Sequence, residues 1–219
     1  MNPVLAQDGY LIARALFDPA EASALQQLAA RAYAAVDAGQ APDFLTKNVE
    51  GWGGLGIPWL AEVGCGDFDL AELIERKAAP LIGPCELIAK ISLFRRVQHS
   101  CMVTWHIDAD GADTKDYDPC INVWIPLVAV GKSVPSLEII QGSHRVMREE
   151  SKLPIGTAIR SPEWVDEKFA SSHHEVPQLE PGDALLFDHY AMHRTQPMAM
   201  SGTRISIECR VRRAPRVGG

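Results

Sequence analysis

Behind Asp18, apolar residues recur at Ala24, Leu25, Leu28, Ala32 and Val36, the spacing of one buried helical face, until Gly39 ends the pattern. Asp18, Pro19 and Glu21 supply the start of that helix: a capping carboxylate, a proline where no N–H is needed, and a glutamate three residues after the cap. A second helix is predicted from Asp69, with Glu72 in its first turn and Leu70, Leu73, Ile74 and Ala78 on one face, running toward Pro80. Ser161-Pro162-Glu163 opens a short third helix through Trp164 and Phe169. From residue 85 onward the period changes. Strands are expected at 85–97, 101–107, 121–127, 136–140, 174–178, 183–188 and 203–212, and short strands between Gly and Pro turns favour a sandwich or barrel. The cleanest alternation is the last, with Ile205, Ile207, Cys209 and Val211 on one face and Arg204, Ser206, Glu208, Arg210 and Arg212 on the other. Arg210, Arg212 and Arg213 read as solvated.

A chain of 219 residues, 47 % hydrophobic, can bury one substantial core, so a single domain over 1–219 is expected, with a helical part at 1–84 and a β core at 85–213. The net charge of -7 argues against nucleic acid or an anionic membrane as partner. Five cysteines, at 65, 85, 101, 120 and 209, make a poor disulfide framework and suit a reducing cytoplasm. Asp8 and Arg14 interrupt any apolar N-terminal stretch, so neither a signal peptide nor a membrane span is expected, and nothing in the sequence fixes an oligomeric state.

The chemistry concentrates in His106-x-Asp108, a distal His193, and Arg204 eleven positions beyond it. On an extended strand residues two apart share a face, so His106 and Asp108 can converge on one ion while Trp105 and Ile107 face away. Pro181-Gly182-Asp183 introduces the apolar strand Ala184-Leu185-Leu186-Phe187, which ends near Asp188 and leaves His193 just past it. Two imidazoles and a carboxylate on one face of a metal leave the opposite positions open for a co-substrate and dioxygen. Arg204 and Ser206 share a face and together can hold a carboxylate. A competing pair, His173-x-Glu175, lies only 18 residues before His193, too close for the two to sit on opposite sides of a barrel. His99, His174 and His189 lack the offsets to join the triad, while His144 can either turn toward the cavity or bond backbone. Lys90 shares a strand face with Ser92 and Phe94 and is a candidate second cation.

Thr104-Trp105-His106-Ile107-Asp108, Asn122-Val123-Trp124-Ile125-Pro126-Leu127, the run Ser136 to Arg145 containing Gly142-Ser143-His144, and Pro181 to Phe187 with His193 and Arg204 resemble the phytanoyl-CoA dioxygenase family of iron(II)/2-oxoglutarate oxygenases. Asp8-Gly9-Tyr10-Leu11-Ile12 before the Asp-Pro-x-Glu helix start is similar too, so the likeness covers nearly the whole chain. The chain is short for the family, and Gln141 stands where a proline usually precedes Gly-Ser-His. The resemblance implies a double-stranded β-helix, or cupin-like jelly roll, with flanking helices. It implies Fe(II) held by His106, Asp108 and His193, 2-oxoglutarate held by Arg204 with Ser206, and Trp124 lining the co-substrate pocket. It also implies oxidation of a small-molecule C–H bond by O2 with release of succinate and CO2. Related halogenases place a small residue where Asp108 stands, so its carboxylate implies hydroxylation.

Two other classes share the ligand set: a non-catalytic cupin-like metal-binding protein, and a Zn(II) or Mn(II) hydrolase or isomerase. Both leave Arg204 without a task. Three long segments are candidate lids or rims: 43–66 with Trp52 and Trp59 among glycines, 109–120 with its run of acidic residues, and 142–172.

Overall fold

The alternation beginning at Arg204 becomes the longest strand of the molecule, Thr203–Arg213, and the rest of the fold is arranged around it. The computed structural model describes residues 2–98, 103–109, 120–150 and 159–213. In chain order these form α1 (Pro3–Asp8), β1 (Tyr10–Ala13), α2 (Pro19–Asp37), α3 (Asp43–Trp52), β2 (Gly54–Gly56), α4 (Leu70–Ile82), β3 (Cys85–Leu87), β4 (Leu93–Gln98) and β5 (Cys120–Pro126). There follow β6 (Leu137–Ile140), α5 (Ser143–Glu150), α6 (Pro162–Lys168), β7 (His174–Glu175), β8 (Ala184–Asp188), β9 (His193–Thr195) and β10 (Thr203–Arg213). A seven-stranded antiparallel sheet runs β1-β8-β5-β10-β4-β2, with β3 also paired to β10, and a three-stranded sheet runs β7-β6-β9. This is the mainly β, jelly-roll architecture with flanking helices.

The period-two pattern decides where each layer packs. Ile207, Cys209 and Val211 of β10 and Ile121, Val123 and Ile125 of β5 join Leu25, Leu28, Ala32 and Val36 of α2 and Leu73, Ile74 and Ala78 of α4 in one buried cluster behind the large sheet. The opposite faces of the same strands turn inward, where Trp124, Leu185 and Phe187 meet Leu137 and Ile139 of the small sheet. A third cluster, Trp105, Ile107, Ile140, Met147, Val165, Phe169 and Met192, seals the outside of the small sheet under α5 and α6. The capping box at α2 is complete: Asp18 Oδ1 accepts from the Ala20 and Glu21 N–H groups, and Glu21 Oε2 accepts from the Asp18 N–H.

Several expected boundaries shift, each for a local reason. The strand expected over 85–97 is two strands separated by a 3-10 turn at Ala89–Ile91, held where Ser92 Oγ–H donates to the Ile88 carbonyl. Within 101–107, the described residues 103–107 are not a strand, and His106 instead forms an isolated bridge to His193 and Ile159. His193 does not trail from β8 but opens a new strand, β9, against β6. The helical part at 1–84 contributes two strands, since β1 pairs with β8 and β2 with β4. The segment 43–66 is α3, β2 and two 3-10 turns rather than a long loop. Gly53 at its hinge has φ +78°, and a Cβ there would lie 1.9 Å from the Arg96 carbonyl oxygen. Positions 99–102, 110–119 and 151–158 lie outside the described residues, with them His99, Cys101 and the acidic run. Cys65, Cys85, Cys120 and Cys209 form no disulfide among the described residues. No helix among the described residues is long and apolar enough to cross a membrane.

Candidate metal centre and its cleft

His106 and His193 are opposed across a two-stranded bridge in which each backbone N–H donates to the other's carbonyl, at 2.9 and 3.0 Å. Directly opposed residues put their side chains on one face, and the two imidazoles lie with centroids 4.1 Å apart. The Thr195 N–H donates to the Val103 carbonyl two residues further along, so residues 103–106 run beside β9 as an extended edge. Asp108, two residues after His106, returns to the same face, and its N–H donates to the His189 carbonyl. The expected convergence of His106, Asp108 and His193 is therefore present. One donor atom from each lies within 4.8 Å of the others, and His106 Nε2 and His193 Nε2 are each 3.8 Å from an Asp108 oxygen.

The imidazole tautomers follow from their neighbours. His106 Nδ1 lies 2.8 Å from the Thr104 carbonyl and His193 Nδ1 3.0 Å from the Ala191 carbonyl. A carbonyl only accepts, so each Nδ1 carries the proton and each Nε2 lone pair faces the triad, the arrangement a metal requires. Burial, and then the neighbouring His106, push His193 down to about 4, which keeps it neutral. Burial alone would push the Asp108 carboxyl up, but Arg210 and the two imidazoles outweigh it and hold the group below the usual carboxylate range.

The triad opens into a cleft of about 430 Å³, measured out to its mouth and lined by both sheets. Trp124 and Arg204 line it, as expected, and Arg204 is 1 % exposed. Ser206 is fully buried two residues along the same strand face but is not among the lining residues. Lys90 requires correction. Because the strand breaks at Ala89–Ile91, Lys90 sits exposed on the 3-10 turn and does not line the cleft. His144 also stays out of the cleft, buried on α5 against Gly9, where a Cβ would come 2.3 Å from its Nδ1. His173 and Glu175 pair with each other at 3.1 Å and join no metal-ligand group among the described residues.

Arg210, expected to be solvated, is the largest correction. Its side chain is 15 % exposed and lines the cleft, with Nη2 3.3 Å from Asp108 Oδ1. Asn122 Nδ2 donates to the other oxygen of Asp108 at 2.9 Å. Arg95 and Glu208 face the same cavity 3.6 Å apart. The signal for Arg210 and Glu208 was in the alternation itself, which places both on the face of Arg204. Arg212 does reach solvent, pairing with Glu86.

The residues also fit a dicarboxylate beside the metal. Ser206 Oγ and Trp124 Nε1 are buried polar atoms that no protein group satisfies among the described residues. Buried donors of this kind cost stability unless something accepts from them.

The family model for phytanoyl-CoA dioxygenase matches residues 58–206. The chain belongs to that family, of iron(II)/2-oxoglutarate oxygenases. Among solved structures, AviO1 from Streptomyces viridochromogenes Tue57 is 18 % identical with a TM-score of 0.65, covering 99 % of this chain and 94 % of that one. The non-heme alpha-ketoglutarate-dependent carbocyclase SnoK from nogalamycin biosynthesis is 15 % identical, with a TM-score of 0.67 over 96 % and 82 %. EctD from S. alaskensis, solved with 2-oxoglutarate and 5-hydroxyectoine, is 18 % identical, with a TM-score of 0.64 over 96 % and 74 %. These identities establish a shared fold. None of the curated proteins matches the chain.

Proposed function

We propose that this family member is an Fe(II)/2-oxoglutarate-dependent dioxygenase that hydroxylates an unactivated C–H bond of a small molecule, releasing succinate and CO2. The carrying observation is the position of the His106/Asp108/His193 set on the wall of a cleft that also contains Arg204 and Trp124. Iron(II) with 2-oxoglutarate supplies the activation of dioxygen for C–H oxidation. The chain's own residues bind and orient. His106 and His193 keep their protons on Nδ1, fixed by the Thr104 and Ala191 carbonyls, so that both Nε2 atoms stay available to the metal. Arg204 would hold the distal carboxylate of the co-substrate, the buried Ser206 Oγ two residues along the strand would add a hydrogen bond, and the Trp124 indole lines the pocket. Phe187 and Leu137 supply apolar lining that limits water beside the metal.

Hydrolytic and purely metal-binding readings give Ser206 Oγ and Trp124 Nε1, unsatisfied among the described residues, nothing to hold. Reaction outcome varies on this fold: one structural neighbour is a carbocyclase, and another was solved with a hydroxylated product. The retained Asp108 carboxylate supports hydroxylation over halogenation here.

Anaerobic protein given Fe(II) and 2-oxoglutarate is expected to develop a weak visible charge-transfer band that His106→Ala abolishes, and to form succinate once oxygen is admitted. Metal binding with neither band nor succinate would overturn the reading. With a substrate in hand, one atom of ¹⁸O from ¹⁸O2 in the product marks hydroxylation, and a product lighter by two hydrogens marks desaturation or ring closure.

A further inference from the structure

The three ligands are not held equally well. His106 and His193 are locked twice, by their mutual backbone bridge and by a carbonyl on each Nδ1. Asp108 lies beyond that bridge on a bend, tied through its backbone, among the described residues, by the N–H to His189. The orientation of its carboxylate is set from the large sheet instead: Asn122 Nδ2 of β5 donates to Oδ2, and Arg210 Nη2 of β10 sits at Oδ1. Arg210 is itself seated. Its Nη1 donates to the Ile91 carbonyl at 2.8 Å, and its backbone N–H donates to Ser92 Oγ at 2.8 Å. The 3-10 turn that interrupts the expected strand is what brings the Ile91 carbonyl under the guanidinium.

We propose that Arg210 and Asn122 are positioning residues that hold Asp108 as a single-oxygen metal ligand, with one donor committed to each carboxylate oxygen. Whichever oxygen faces the metal, the other already has a donor of its own. A carboxylate gripping with both oxygens would fill one of the three positions that two histidines and one carboxylate leave open. The co-substrate and dioxygen would need those positions, so the donors would keep open the vacancy the proposed reaction requires. This inference rests on the metal-centre reading proposed above. It adds that the carboxylate's seat is built by the large sheet and persists when the carboxylate's own tether is cut.

Formate tests this, being a carboxylate without a tether. In Asp108→Gly, Mn(II) affinity measured by electron paramagnetic resonance is expected to drop and then recover by about tenfold or more on adding formate, the scale of outer-sphere effects on metal affinity. The recovery is expected to vanish in Asp108→Gly/Arg210→Met and in Asp108→Gly/Asn122→Leu, and to return in part in Asp108→Gly/Arg210→Lys. Thermal melting of each variant checks that the sheet is intact, and a merely structural Arg210 would give no formate dependence to lose. Equal formate recovery in Asp108→Gly and both of the double variants lacking a donor would overturn the proposal while leaving the metal centre standing. Failure of the parent protein to bind Mn(II) would overturn the metal centre, and this inference with it.

Discussion

Two arginines on one face of β10 face the same cleft from positions about 20 Å apart along the strand, six residues at the usual rise, and the function proposed here gives them different anions. Arg210 meets the chain's own Asp108 carboxylate at 3.3 Å, close to the histidine ligands. Arg204, buried further along the strand, is assigned the distal carboxylate of a small molecule in the function proposed here. At the Arg210 end the partner is the chain's own carboxylate, whose geometry it fixes. At the Arg204 end the proposed function adds a carboxylate of the co-substrate, whose binding would then depend on the guanidinium. The opposite face of the same strand, Ile207, Cys209 and Val211, packs beneath α2 and α4.

Separating the two ends by mutation gives the largest expected effect. Arg204→Leu is expected to weaken 2-oxoglutarate binding by about 100-fold or more, since two charge-assisted hydrogen bonds at about 1.5–3 kcal/mol each amount to at least about 3 kcal/mol. Mn(II) affinity should stay within about twofold of the parent, because no metal ligand contacts Arg204 in the proposed arrangement. Titration of the Fe(II)·2-oxoglutarate band reads the first quantity and Mn(II) resonance the second. If both fell together, the two ends of β10 would be one unit and the comparison would fail. Ser206→Ala is expected to act in the same direction but less strongly, about tenfold on 2-oxoglutarate for one hydrogen bond to a charged group. An unchanged affinity would mean that Ser206 Oγ is satisfied by something other than the co-substrate.

The chemistry of this site was more legible in the sequence than its supports. His106, Asp108 and His193 announce themselves by residue type and spacing, because a metal needs those donors and the two-residue period of extended backbone delivers the first pair. Even so, the backbone between them was misread: His106 lies on a lone bridge, and β9 is only three residues long, too short to show a period. β1 and β2, at four and three residues, escaped for the same reason. Arg210 was misread although its alternation was correct. Its neighbours Arg212 and Arg213 near the end of the chain suggested a solvated face, whereas burial there comes from pairing with β5 and from Asp108, 102 positions away in sequence. Long-range pairing of this kind leaves no local trace. The break in the 85–97 strand is likewise set by Ser92 reaching back to Ile88 and outward to the Arg210 N–H, a contact between residues 118 apart.

That break yields the smallest predicted effect, and it sharpens the comparison because Lys90 is the candidate second cation of the sequence. Lys90 lies in the 3-10 turn whose carbonyl at Ile91 seats Arg210, but the Lys90 side chain is exposed and does not line the cleft. Its contribution to the site therefore runs through the backbone of the turn rather than through its charge. Lys90→Ala keeps that backbone, and substitutions of exposed side chains outside the cleft usually change stability by only about 0.5 kcal/mol. Both 2-oxoglutarate affinity and Mn(II) affinity are accordingly expected to stay within about twofold of the parent, on the same titrations used for Arg204→Leu. A tenfold loss of 2-oxoglutarate binding in Lys90→Ala would place a second cation on the co-substrate, and the division of labour between the two ends of β10 would then have to include the turn between β3 and β4.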